Sequence, residues 1–238
     1  MSYSKRHSIF HFRSALLLAL TSIWLYACQT STEPHTPGYE YVSLETGSFR
    51  VYDVTEQRFA LNGPPVTQTY QLREITTDSP IDLANGSAFR IERYRRANEQ
   101  EPWQPDSVSS VRIADDQLIR TENNVAYVKL LFPPTDQLQW NGNAYNTLGE
   151  DTYQLRNTGQ PFSVLNQTFP ETATVIQQND STLVNQDKRL EVYARNVGLI
   201  YREKVQLQFC SSTPVCVGKA QIDYGIRYYM WLRSYGKL

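Results

Sequence analysis

Glu203 is the residue whose surroundings most suggest chemistry. In the alternation of an extended strand it shares a face with Leu199, Tyr201, Val205, Leu207 and Phe209, which places a carboxylate in an apolar row. A carboxylate buried there without a partner would have a raised pKa and mark a functional site. The same placement also arises structurally, from a bulge near Arg202-Glu203-Lys204 that turns the side chain outward, or from a paired Arg–Glu contact. The other reactive groups offer less. The three histidines are His7, His11 and His35, so the chain from residue 39 onward has none. That removes Ser-His-Asp and Cys-His nucleophile systems and His-ligated zinc from that part of the chain. There is no Gly-x-Ser-x-Gly elbow and no Walker-type phosphate loop. Hydrolysis would have to use carboxylates such as Glu203, Glu191, Asp223 or Glu92. Glu191 opposes the row Leu190, Val192 and Ala194, and Asp223 opposes the row Ile222 to Leu232, so the register offers no pair of acids converging on one cleft. The expectation is a protein without catalysis, cofactor or metal.

Two further groups have types suited to holding a ligand. Tyr229 and Trp231 lie on the face opposite Ile222, Tyr224, Ile226, Tyr228, Met230 and Leu232, so this strand is apolar on both sides near its end. That fits a wall of a ligand cleft, a surface covered by the 133–187 connection, or a partner interface. Together with Trp103, Trp140 and Tyr235, these rings suit stacking on a sugar. Arg90, Glu92, Arg93, Arg95 and Arg96 interleave with Ile91 and Tyr94. Arginines in such a row can grip carboxylate or phosphate bidentately, or form a solvated ladder of cross-strand pairs.

The elements that must position these residues are strands. From Tyr39 onward the chain is rich in Tyr, Val, Thr, Phe and Ile, and no 3.6-residue apolar stripe is sustained. Strands are expected near 48–57, 66–76, 88–96, 106–114, 117–122, 125–132, 188–195, 197–210 and 219–234. Asp115-Asp116 and Asn123-Asn124 read as tight hairpin turns. Between 133 and 187 the signal weakens, and long connections with a few short strands are expected. Ala126, Val128, Leu130 and Phe132 read as a core face, as do Leu190, Val192 and Ala194, with Arg189, Glu191 and Arg195 on the wet side. About 210 residues suffice for one domain that buries roughly 70% of its unfolded surface. Residues 39–238 are therefore expected to form a single all-β antiparallel meander, curved into a half-barrel or barrel-like sheet with little helix.

The N-terminus gives an address. Lys5, Arg6 and Arg13 precede an apolar run from Ala15 to Ala27, a secretory signal peptide over 1–27. The run is shorter than the ~20 residues a membrane-spanning helix needs. It ends in Leu25-Tyr26-Ala27-Cys28, which resembles the bacterial lipobox and implies that Cys28 becomes the acylated N-terminus. Residues 28–38 then form the lipidated Cys and a polar, flexible tether. Asp does not follow Cys28. By resemblance to the common sorting rule, this implies an outer-membrane lipoprotein that contacts the membrane through its acyl chains. In that compartment Cys210 and Cys216, which enclose Ser-Ser-Thr-Pro-Val, read as a disulfide, because a two-thiolate metal site lacks its other ligands. The leader holds three of the 23 basic residues and none of the 24 acidic ones. The mature chain is thus net acidic without a basic block, which argues against nucleic acid as a partner.

Several segments carry a wider resemblance. Leu190-Glu-Val-Tyr-Ala-Arg-Asn-Val-Gly-Leu-Ile-Tyr-Arg-Glu203 resembles the strand–turn–strand of uncharacterised envelope lipoproteins with a Tyr-Ala-x-x-Val-Gly-Leu-(Val/Ile) signature. Glu122 to Pro133, Trp140-Asn-Gly-Asn143 and Tyr41-Val-Ser-Leu-Glu-Thr-Gly47 resemble the same group. The resemblance implies a strongly curved antiparallel sheet, similar to the half-barrel of periplasmic lipoprotein carriers. It supplies no catalytic residue. The expected function is a lipid-anchored, non-catalytic binding or interaction module with a glycan, lipid or envelope-protein partner. Glu203, Tyr229 and Trp231 are its candidate ligand contacts. The alternatives are an amphiphile carrier with an apolar concave groove and a carboxylate-based glycan hydrolase. A transmembrane β-barrel fits least, because the strands alternate too irregularly.

Overall fold

Asp115 and Asp116 take φ of 51° and 56°, and Asn123 and Asn124 take 51° and 64°. These left-handed pairs are what two-residue hairpins need to match strand twist, so both expected turns form. The computed structural model describes residues 38–77, 81–83 and 86–238; Cys28, the leader and most of the tether lie outside the described residues. Among the described residues, a short 3-10 turn at Tyr39–Tyr41 is followed by thirteen strands. They are β1 (Ser48–Phe59), β2 (Val66–Thr76), β3 (Ile81–Leu83), β4 (Gly86–Arg96), β5 (Gln104–Ala114), β6 (Gln117–Glu122) and β7 (Val125–Leu131). The second half holds β8 (Gln139–Asn141), β9 (Thr152–Val164), β10 (Gln167–Ser181), β11 (Asn185–Ala194), β12 (Gly198–Phe209) and β13 (Ile222–Lys237).

The strands form one antiparallel sheet in the order β7-β6-β5-β4-β2-β1-β13-β12-β11-β10-β9-β8, with β3 paired to β4 alone. It curls into a nearly closed barrel of twelve strands. All-β architecture with a curved antiparallel sheet is thus what the chain adopts, in agreement with the sequence pattern and with what the family resemblance implies. Its two edges meet at a seam. Val128 N–H donates to Gly142 O at 2.9 Å, Trp140 Nε1–H donates to Val128 O at 2.9 Å, and Asn146 Nδ2 donates to Ala126 O at 2.8 Å. These contacts occupy edge groups that would otherwise stay unpaired.

One end of the barrel is plugged by the segment that enters it. Tyr41 is buried, Val42 and Leu44 pack on the core, and Arg50 donates from inside the sheet to Ser43 O and Val197 O at 3.1 and 3.3 Å. Tyr52 lies at full burial and reaches across to Leu199 O at 3.0 Å. Leu72, Ile91, Leu118, Leu130, Met230 and Leu232 complete this lower core.

Two expectations need correction. The 133–187 stretch is not mainly connection, since it contains the 13-residue β9 and the 15-residue β10. Their Gln-, Thr- and Asn-rich composition hid them, as did a bend. Asn157 and Gly159 take positive φ, and the β9–β10 register slips between Phe169 and Thr174, as at a bulge that redirects a strand. Beyond the bend the hairpin tip folds over the outer side of the sheet. Phe162 meets Tyr201 at 5.7 Å between centroids, Phe169 meets Tyr235 at 6.3 Å, and Gln167 Nε2 donates to Arg233 O at 3.3 Å.

The second correction concerns which side is wet. On β11 the residues Arg189, Glu191 and Tyr193 face the lumen, while Leu190 and Val192 face outward beneath the folded hairpin. Glu191 is 2% exposed, as buried as the apolar residues beside it. The alternation was real, but its charged side points inward.

Cys210 and Cys216 form a disulfide with a Cα–Cα distance of 5.6 Å, in the loop between β12 and β13. A loop this short removes little unfolded-state entropy. The double variant Cys210→Ser/Cys216→Ser should lose at most about 2 to 3 kcal/mol relative to oxidised wild type, by that same loop entropy, in a denaturant melt. A loss well above that would mean the bond supports the barrel itself and not merely this loop.

Candidate functional site

The register brings the three sequence-predicted ligand residues onto one patch. Glu203 lies directly opposite Tyr229, and Tyr201 directly opposite Trp231. Tyr229 and Trp231 stack at 5.6 Å with 14° between their planes, and Tyr201 lies 6.3 Å from Trp231. Leu190 and Val192 extend the same rows onto β11, and Ile176 and Thr174 carry them onto β10. The folded hairpin tip roofs part of this surface with Phe162 and Leu165. The result is a half-open cleft of about 560 Å³ with aromatic and aliphatic walls and with Glu203, Lys188, Tyr201, Thr174, Ser163 and Asn157 as polar groups. A concave site that mixes apolar walls with convergent polar groups is the usual form of a small-ligand site.

Glu203 is not the unpaired acid that would mark catalysis. It is 9% exposed, accepts a hydrogen bond from Tyr201 OH at 3.2 Å and pairs with Lys188 at 2.9 Å. The paired reading of Glu203 is the one the structure adopts, with Lys188 in place of an arginine.

The sequence reading missed a second polar region, inside the barrel. Glu74 on β2 takes a bidentate contact from Arg120 on β6, at 2.5 and 3.2 Å. Arg120 also lies 3.0 Å from Glu122, and Glu122 lies 3.6 Å from Lys129 on β7. Lys129 pairs across the lumen with Glu191 at 3.2 Å, and Arg202 on β12 closes the chain at 2.8 Å from Glu191. Tyr193 OH donates to Glu191 at 2.5 Å. Burial alone would raise the Glu74 carboxyl, but the Arg120 guanidinium overcomes it and holds the pKa at about 2. Burial opposes ionisation of Glu122 too, and Lys129 and Arg202 hold it well below the usual range. For Glu191, burial is again outweighed, here by Arg202 and then Lys129. All three acids are therefore ionised within a salt-bridged network.

This network corrects the expectation that no acids converge, since Glu122 and Glu191 share the cations Lys129 and Arg202. It also differs from the apolar concave groove of a carrier. Above the network the lumen opens into a cavity of about 320 Å³ lined by Arg58, Arg93, Arg95, Arg202 and Lys204 among others. Arg93 and Arg95 therefore face inward, not onto a solvated outer ladder. Among the described residues no cluster of His, Cys, Asp or Glu is arranged to hold a metal ion, and no helix is long and apolar enough to cross a membrane.

No family model matches the chain, and no curated protein matches it in sequence. It is similar to a crystal structure of a "putative lipoprotein" from Parabacteroides distasonis ATCC 8503. The two are 11% identical with a TM-score of 0.38, over 82% of this chain and 98% of the other.

Proposed function

We propose that the protein is a lipid-anchored outer-membrane lipoprotein that acts without catalysis as a binding module for an uncharged glycan, held in the outer cleft. The observation that carries the reading is the pair Tyr201 and Trp231 lining a half-open cleft beside a paired carboxylate, with Tyr229 stacked on Trp231 outside the lining. Flat aromatic faces fit the apolar faces of sugar rings. Glu203 and Lys188 can exchange hydrogen bonds with hydroxyl groups without a net charge. Glu203 is the sole acid among the residues that line the cleft, whereas glycoside hydrolysis uses two. The anchor reading rests on the Leu25-Tyr26-Ala27-Cys28 sequence, and two or more acyl chains hold a protein stably where one is marginal.

Titration of the purified full chain with maltotetraose, cellotetraose and the N-acetylglucosamine tetramer tests the site. At least one should bind, and Trp231→Ala should weaken it more than tenfold while the fold persists. The glycan reading fails if none binds, or if Trp231→Ala leaves the affinity unchanged. It also fails if any of the three is cleaved in a manner that Glu203→Gln abolishes. In fractionated cells, Cys28→Ser should release the protein from membranes or leave it as the precursor.

A further inference from the structure

The mouth of the lumen carries a charge imbalance that the internal network does not absorb. The residues lining the 320 Å³ cavity include five cations, Arg58, Arg93, Arg95, Arg202 and Lys204, and three acids, Glu56, Asp106 and Glu122. Each acid is already engaged: Glu56 with Arg58 at 2.5 Å, Asp106 with Arg93 at 2.6 Å, and Glu122 with Arg202 at 3.5 Å. Arg95 and Lys204 remain. Arg95 lies 3.7 Å over the Tyr70 ring and donates to Gln68 Oε1 at 3.2 Å, neither of which neutralises it. Lys204 has no acid within ion-pair distance among the described residues. Partial desolvation lowers its pKa first and Arg189 next, Asp187 pulls the other way, and Arg202 and Arg58 add smaller pushes downward.

Two uncompensated cations on one small cavity are unfavourable to each other in the empty protein and favourable to an anion. The floor adds a third cation, since Arg202 lines the same cavity and its Nε has no hydrogen-bond partner among the described residues.

We propose that the lumen mouth is a binding site for a compact ligand with two or more oxyanion groups, clamped between Lys204 and Arg95 above Arg202. The site lies on the opposite side of the sheet from the outer cleft and does not depend on it. Arg95 supplies a planar fork for phosphate or carboxylate, and Lys204 a point charge.

Calorimetric titration of the full chain with inorganic pyrophosphate and, separately, citrate at low ionic strength tests this. Binding of either probe supports the site, and the two arms separate phosphate from carboxylate chemistry. Lys204→Gln and Arg95→Gln should each weaken binding about tenfold, and the double variant should abolish it. Both side chains are exposed, so the melting midpoint should stay within about 2 °C of the wild type. Trp231→Ala, which empties the outer cleft, should leave this affinity unchanged. Absence of binding by both probes overturns the proposal, as does a folded double variant that binds like the wild type.

Discussion

Glu191→Ala is expected to destabilise the barrel far more than any change at Glu203. Removing Glu191 strips Lys129 and Arg202 of a shared partner inside the lumen and leaves Tyr193 OH without its acceptor. Breaking one member of a buried charge network costs about 3 to 5 kcal/mol, because the partners stay buried without compensation. For a domain of this size the melting midpoint should fall by roughly 10 °C. Glu203→Gln removes only a contact with the half-exposed Lys188 and should cost less than about 1 kcal/mol. A Glu191→Leu/Arg202→Leu double variant should regain part of the loss, since paired burial can be replaced by packing. Thermal melts of the three variants decide the matter, and a Glu191→Ala midpoint close to wild type would rule out a structural role for the network.

The same network sets the acid response. Glu74, Glu122 and Glu191 have folded pKa values below their unfolded ones. A depressed carboxylate contributes stability that is complete above its unfolded pKa and is lost as pH falls through the folded one. Stability should therefore hold above about pH 5 and decline steadily toward about pH 2.

The second large effect is expected at the seam. A Cβ on Gly142 would lie 2.3 Å from Cζ of Tyr153, whose ring is 2% exposed and packs edge-on against Trp140. Overpacking of this kind costs about 1 to 3 kcal/mol. In Gly142→Ala the strain falls where Gly142 O accepts from Val128 N–H. The Val128 amide should then exchange with solvent faster than amides of β1 or β13, which lie far from the seam. Equal protection of Val128 in both proteins would show that closure tolerates the extra methyl.

Much of the fold was legible because its turns have strict chemistry. Asp115-Asp116 and Asn123-Asn124 can adopt positive φ, and both hairpins formed where those pairs stand. The rows around Glu203, Tyr229 and Trp231 were also readable, because period two fixes which residues share a face. What alternation does not encode is which face is inside. Arg189 and Glu191 alternate with Leu190 and Val192 as they would on a solvent-facing sheet. Here Glu191 is compensated by Lys129 and Arg202 within the lumen, and the folded β9–β10 hairpin covers the apolar outer side instead. The bend at Asn157 and Gly159 that permits this covering is the feature that broke the strand pattern. Each of the segments that carried the family resemblance has a place in this interior. Tyr41 to Gly47 supplies the plug, and Trp140 to Asn143 the seam. Glu122 to Pro133 and Leu190 to Glu203 supply Glu122, Lys129, Glu191 and Arg202.

The strand order also has a kinetic consequence. Every neighbouring pair in the path joins strands adjacent along the chain or separated by the small β3, except one: β1 with β13, where Ser48 stands opposite Lys237. The chain is thus two local meanders, β1–β7 and β8–β13, each of which can form from contacts of short sequence separation. The entropy of closing the long loop is concentrated in the single β1–β13 pairing. The seam between β7 and β8 joins the same two halves through residues close in sequence, so the long-range part of closure falls on β1 and β13.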